Sequence, residues 1–227
     1  MACPATTARL RCVNHLSESL VLALGAAVSP IPLTISILLL TSPDRGRAKA
    51  IAFAAGQILA LAVISVAAAL LLQKALGTTH RHSKASGSID IVLGVILLVA
   101  AARKLLTKPK PKPEKPQKKQ RSLAAEFIFG AGLMAVNLET LALVLASIKE
   151  LVSSKTGIVT EGLVLLAIVL IVTVSATLPP LMTFIFPKQS DRALAWLNDQ
   201  TKRHSRGISA GFLIVFGAYL LYKGITA

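Results

Sequence analysis

Six long apolar runs divide this 227-residue chain: residues 16–40, 50–72, 89–106, 123–148, 162–186 and 207–225. A helix needs about 20 predominantly apolar residues to cross a hydrocarbon core roughly 30 Å thick. Each run is near or above that length, so the pattern predicts an all-α integral membrane protein with six transmembrane helices. The balance of 54% hydrophobic against 15% charged residues agrees. A net charge of +15 invites a nucleic-acid partner, but the charges lie between the apolar runs and only 4% of residues are aromatic. Membrane topology explains them better, and no nucleic-acid partner is expected.

The first run is interrupted in its middle by Ser29-Pro30-Ile31-Pro32. Neither proline has an N–H to return to a preceding carbonyl, and each disfavours helical angles in the residue before it. Broken backbone at membrane depth survives only where protein covers it or a watery cavity reaches it, and such breaks recur at transporter binding sites. The alternative is a kink healed by a neighbouring helix or by Ser29.

The two halves echo each other. Gly25 to Pro32 can be laid on Gly132 to Glu139, which sets Asn137 opposite Pro30 and Glu139 opposite Pro32. The third and sixth runs share a small-residue pattern, Leu93-Gly94-Val95-Ile96 against Ala210-Gly211-Phe212-Leu213. Three crossings per half would orient the halves oppositely. The expected organisation is a polar tail (1–15), a three-helix repeat (16–106), a basic Lys/Pro linker (107–122) and a second, inverted repeat (123–227). Counting lysines and arginines with that linker in the cytoplasm places 17 of the 25 inside and 8 outside, so both termini are expected outside a multi-pass inner (plasma) membrane protein. Lys149 and Lys223 fall in the outside count. A short interfacial helix is expected around Trp196, ahead of the last span.

Glu139 is the most informative single residue. A carboxylate inside an apolar span costs about 2.5–3.5 kcal/mol on insertion scales, and no basic residue lies at comparable depth in another run. It is expected either to couple protons or to contact substrate, or else to be a neutral acid bonded to a neighbouring helix. Asn137 could donate its amide to carbonyls freed near Pro30. Thr173 and Thr177 share a face of the fifth run, where hydroxyls more often bond back to their own backbone. Pro179-Pro180 should bend or end that helix. Gln57 is a further intramembrane polar group that could line a cavity. Gly130, Gly132, Gly211 and Gly217 are expected to permit close helix packing. The candidate substrate or proton-coupling set is therefore Glu139, Asn137, Ser29, Pro30, Pro32, Gln57, Thr173 and Thr177.

Cys3 and Cys12 precede the first run and are expected as free thiols. The four histidines (His15, His80, His82 and His204) fall in tails or loops, and no metal site or cofactor is expected. The patterns HExxH, GxSxG and the P-loop are absent, so the chain is not expected to be an enzyme.

Several pieces taken together resemble a known family. They are Ala27-Val28-Ser29-Pro30-Ile31-Pro32, the turn Ser42-Pro43-Asp44-Arg45-Gly46-Arg47, Ala52-Phe53-Ala54-Ala55-Gly56, Asn137, Leu178-Pro179-Pro180, the Trp196 region and Phe216-Gly217-Ala218-Tyr219. The chain resembles the GAP family, the peptidoglycolipid addressing proteins of actinobacteria, within the LysE exporter superfamily. The resemblance implies six helices as inverted three-helix repeats and a role in moving glycolipids to the cell surface. It also implies membrane lipids or a glycolipid as substrate; a homodimer, which so small a bundle suggests, or a larger envelope-lipid export machinery are the expected partners. One departure matters: LysE-like proteins tend to carry Asn-Pro-Lys where this chain has Asn137-Leu138-Glu139. Loss of that proline should remove a second helix break, and the charge is reversed. Alternatives to lipid export are an exporter of a small solute (amino acid or metal cation) and a non-transporting membrane scaffold or accessory subunit.

Overall fold

The structure is a computed structural model. It describes the chain except residues 1–4, 28, 43, 78–81, 107–120, 155–156, 186–189 and 227, and gives backbone but not side chains at 5–14, 75–77, 82–86, 190–206 and 208. Cys3, the side chains of Cys12, His82, Trp196 and His204, and nearly all of the Lys/Pro linker therefore lie outside the described residues.

The described residues form eight helices and no strand: α1 (Ala5–Ala27), α2 (Pro30–Leu40), α3 (Gly46–Gly77), α4 (His82–Leu106), α5 (Leu123–Val136), α6 (Leu138–Ser153), α7 (Ile158–Ile185) and α8 (Ser190–Thr226). Among the described residues three stretches are long and apolar enough to cross a membrane: Gly46–Lys74, Ile158–Ile185 and Ser209–Thr226. Two bent pairs bring the total to as many as five. α4 is long enough, but it carries Asp90 near its start and Arg103-Lys104 at its end. Outward-facing Leu, Ile and Val side chains on most helices make the lateral surface apolar, as a bilayer requires.

Both breaks are built the same way. The chain bends by 49° between α1 and α2 and by 68° between α5 and α6. Ser29, with extended angles, precedes α2, and Pro30 opens that helix, where a missing N–H costs nothing. The carbonyl of Pro30 accepts from the Thr34 hydroxyl at 2.8 Å. Asn137 ends α5 and starts α6, its side-chain oxygen accepting from the Thr140 amide at 3.4 Å. The second break thus exists without a proline, contrary to the expectation drawn from the Asn-Leu-Glu departure. Asparagine suffices because its short amide caps the new helix by itself. By position at the breaks, each sitting at the N-cap of the second half-helix, Asn137 matches Ser29 rather than Pro30.

Other expectations change as well. Residues 5–15 belong to α1, so the polar tail is helical over most of its length and His15 lies on a helix. No separate interfacial helix precedes the last span, because α8 is continuous from Ser190. α7 runs through Pro179-Pro180 to Ile185. The carbonyl of Ala176, which Pro180 leaves without its helical donor, accepts instead from the Ser36 hydroxyl of α2 at 2.9 Å.

Close contacts at glycine hold the helices together, as expected where lipid removes most of the hydrophobic drive. Gly94 of α4 faces Gly217 of α8, and Gly224 faces Gly87, so these two helices run antiparallel. α3 and α5 also run antiparallel, with Gly56 against the Phe127 carbonyl and Gly130 against the Phe53 carbonyl. Gly132 and Gly211 meet nothing, which removes them from the packing set. A Cβ at Gly130 would lie 2.2 Å from the Phe53 carbonyl oxygen. Gly130→Ala should therefore cost on the order of 1–3 kcal/mol, the usual range for overpacking, and Gly132→Ala close to nothing. Unfolding curves of the solubilised variants measure the contrast.

Candidate functional site

The two breaks meet. The Asn137 amide donates to the Ser29 hydroxyl at 3.4 Å, joining the start of α2 to the start of α6. Asn137 therefore bonds a side chain rather than the backbone carbonyls near Pro30. Glu139 sits in the first turn of α6, where the positive end of the helix dipole favours a carboxylate. Lys104 sits in the last turn of α4, where the negative end favours a cation. Lys104 Nζ donates to Glu139 Oε2 at 2.5 Å. Glu139 thus has a basic partner from another helix, which sequence depth alone did not reveal.

Beside this pair lies a small void of about 20 Å³, where Ser29, Glu139, Thr140 and Ser209 meet the apolar Ala26, Leu143, Phe212 and Leu213. On the other side lies a groove of about 690 Å³ between α2, α4 and the α5–α6 break. Its walls are Ile31, Val95, Ile96, Val99, Leu133 and Val136, and its polar end is made by Arg103, Lys104, Asn137 and Glu139. At its rim Val136 and Leu138 are 70% and 66% exposed, so the groove opens onto the apolar lateral surface.

Of the expected site residues, Ser29, Asn137 and Glu139 come together. Pro30 and Pro32 shape the start of α2 beside them, Pro32 being buried. Gln57, Thr173 and Thr177 line neither cavity. Gln57 is buried and its Nε2 has no partner among the described residues. Thr173 bonds the Val169 carbonyl at 2.7 Å and Thr177 the Thr173 carbonyl at 3.1 Å, the backbone role that hydroxyls in apolar helices usually take.

A second polar cluster was missed by the sequence reading. It ties α1, α4, α6 and α8 together at the end of the bundle where α1 begins and α8 finishes. Lys149 pairs with Asp90 and, at 3.3 Å, with Glu150. Glu150 accepts from Lys223 at 2.9 Å and from His15 Nδ1 at 2.8 Å. Glu18 accepts from Lys223 and from the Tyr219 hydroxyl. Lys149 and Glu150 are about 1% exposed, so Lys149 belongs to the interior and not to the loop charges with which it was counted. His15, Glu18 and Glu150 offer ligand atoms within 4.8 Å of one another, a grouping that the scattered histidines of the sequence did not foretell. The signal available in the sequence was Asp90 at the start of the third run and Lys149-Glu150 just past the fourth.

No curated protein and no solved structure gives a significant match to the chain. A family profile described as Sap, sulfolipid-1-addressing protein, matches residues 20–226, which include both breaks, the groove and, of the second cluster, Asp90, Lys149, Glu150 and Lys223 but not His15 or Glu18. The chain belongs to the Sap, sulfolipid-1-addressing protein family.

Proposed function

We propose that this protein is a LysE-like membrane transporter, or transport factor, that moves an anionic envelope lipid or glycolipid toward the cell surface. The observation that carries the reading is the groove at the junction of the two helix breaks. A lipid leaving a bilayer needs a sideways entrance with apolar walls and a polar seat for its headgroup. The groove has exposed Val136 and Leu138 at its rim and Arg103 and Lys104 at its end. Its volume of about 690 Å³ falls in the range of ligand sites. The family's description names a sulfolipid, a lipid with an anionic head, and the two cations suit that charge. Lysine gives a point charge and arginine a planar fork for sulfate oxygens.

The six-span inverted repeat is supported by the way equivalent helices pair. α4 lies against α8 and α3 against α7, each helix meeting its counterpart from the other half. Oppositely oriented halves would also explain why α4 and α8 run antiparallel. In this reading the protein sits in the plasma membrane with both termini outside, acts without enzymatic chemistry, and works alone, as a homodimer or within a larger export machinery. Small-solute export finds less support, since the void of about 20 Å³ beside Glu139 has room for a water and not for an amino acid.

The test is to delete the gene and compare surface lipids with whole-cell lipids. Loss of one anionic lipid from the surface, with its retention in the cell, is expected. Unchanged surface lipids with altered tolerance to amino acids or metals would favour the solute exporter instead.

A further inference from the structure

The half-helices at the two breaks form two pairs that the inverted plan makes equivalent, α1 with α6 and α2 with α5. The first pair is closed along its length. Its antiparallel rungs are Ser29 with Asn137, Ser19 with Ser147, and His15 with Glu150. At the middle rung the Ser147 hydroxyl donates to the Ser19 carbonyl at 2.6 Å. The second pair lies apart, and the groove with Ile31 on one wall and Leu133 and Val136 on the other occupies the space between. Two equivalent pairs, one shut and one parted, are what one end state of an alternating-access cycle contains.

At its His15–Glu150 end the closed pair is tied into the ion cluster, whose charges do not balance. Among the described residues three carboxylates (Glu18, Asp90 and Glu150) face two lysines (Lys149 and Lys223), with Tyr219 donating to Glu18. From the other two packed helices, the charged groups at this end are Lys74 on α3 and Glu161 on α7, and Glu161 accepts from Gln73 at 3.1 Å. Asp90 is 1% exposed, and its Oδ1 has no hydrogen-bond partner among the described residues. A buried carboxylate oxygen without a donor is costly, and one added proton balances the charge and neutralises the group that lacks a donor. Of the charged members His15 is the most exposed, its side chain being 35% exposed against 24% for Lys223 and 20% for Glu18, so the cluster has a path to solvent.

We infer that the cluster of His15, Glu18, Asp90, Lys149, Glu150 and Lys223 is a one-proton binding site that gates the outer side of the protein. With Asp90 protonated, Lys149 is left to Glu150 and competes there with His15 and Lys223, the contacts that tie α1 and α8 to α6. α1 then parts from α6 while α2 closes on α5, and the junction at Ser29 and Asn137 turns from one leaflet to the other. The direction of this movement rests on the transport reading; the proton site and the separation of the helices do not depend on what the groove carries.

The test uses full-length protein in lipid nanodiscs with Cys3→Ser and Cys12→Ser. Spin labels at Val21→Cys with Val152→Cys report the α1–α6 pair, and labels at Leu38→Cys with Ile128→Cys report α2–α5. Between pH 8 and pH 5.5 the first distance should gain a longer population and the second a shorter one. Asp90→Asn, which resembles the protonated acid, should show the longer α1–α6 population already at pH 8, and Glu150→Gln is the second neutral variant if the first folds poorly. Distances that stay the same at both pH values would overturn the proposal. So would a change produced at fixed pH by sodium or zinc ions, because the bound cation would then not be a proton. The surface-lipid comparison decides the cargo separately, so either result can fail without the other.

Discussion

Lys149→Met is expected to lower the unfolding free energy of the solubilised protein by about 3–5 kcal/mol, the range for removing one partner of a buried ion pair. The lysine lies between Asp90 and Glu150, and all three are buried. Without its ammonium, two carboxylates remain close together in a medium that solvates them poorly, each less well opposed. The pair is not expected to contribute that much in itself, since replacing both partners with apolar groups of similar shape is often neutral or better. The double variant Asp90→Asn with Lys149→Met should therefore recover about half of the loss or more. Unfolding in a detergent mixture measures the cycle. A single-variant loss under about 1 kcal/mol would mean that water reaches the cluster, and the gate described above would lose its basis.

Much of this architecture was legible in the sequence, for identifiable reasons. Apolar run length marked every segment that forms a long helix, because lipid leaves the backbone few other ways to satisfy itself. The Ser29-Pro30 break was legible because proline acts locally. The Asn137 break was not, since asparagine is tolerated inside a helix and its residue type alone does not say that its side chain will leave one helix to cap the next at Thr140. Glu139 stood out as a charge in an apolar run, yet its partner Lys104 was read as topology signal because it closes a run next to the basic linker. The cluster around Glu150 was hidden in the same way. Its charges sit at the ends of four runs, where composition alone reads them as loop residues, and only helix packing shows that they converge. Gln57, Thr173 and Thr177 were polar in apolar runs too, but intramembrane polarity does not say which way a side chain faces. That information lies in α3 packing against α5 and α2 packing against α7.

The ion pair at the head of the groove leads to the second large effect, and its two members should act with opposite signs. Lys104 serves Glu139 in the structure, with side-chain exposures of 21% and 29%, so both reach the cavity. An anionic headgroup entering the groove competes with Glu139 for the same ammonium. Lys104→Ala should weaken binding of a fluorescent sulfated glycolipid by roughly tenfold or more, since a charge-assisted hydrogen bond contributes about 1.5–3 kcal/mol. Glu139→Gln removes the competitor and should tighten binding of the same probe by several-fold, while slowing its release and so its delivery to the surface. The desulfated probe should respond little to either change, because the apolar walls that hold its chains are untouched. Binding measured on protein in nanodiscs separates these outcomes. If both variants weakened both probes equally, the pair would be a structural strut between α4 and α6, and headgroup recognition would have to be sought at Arg103.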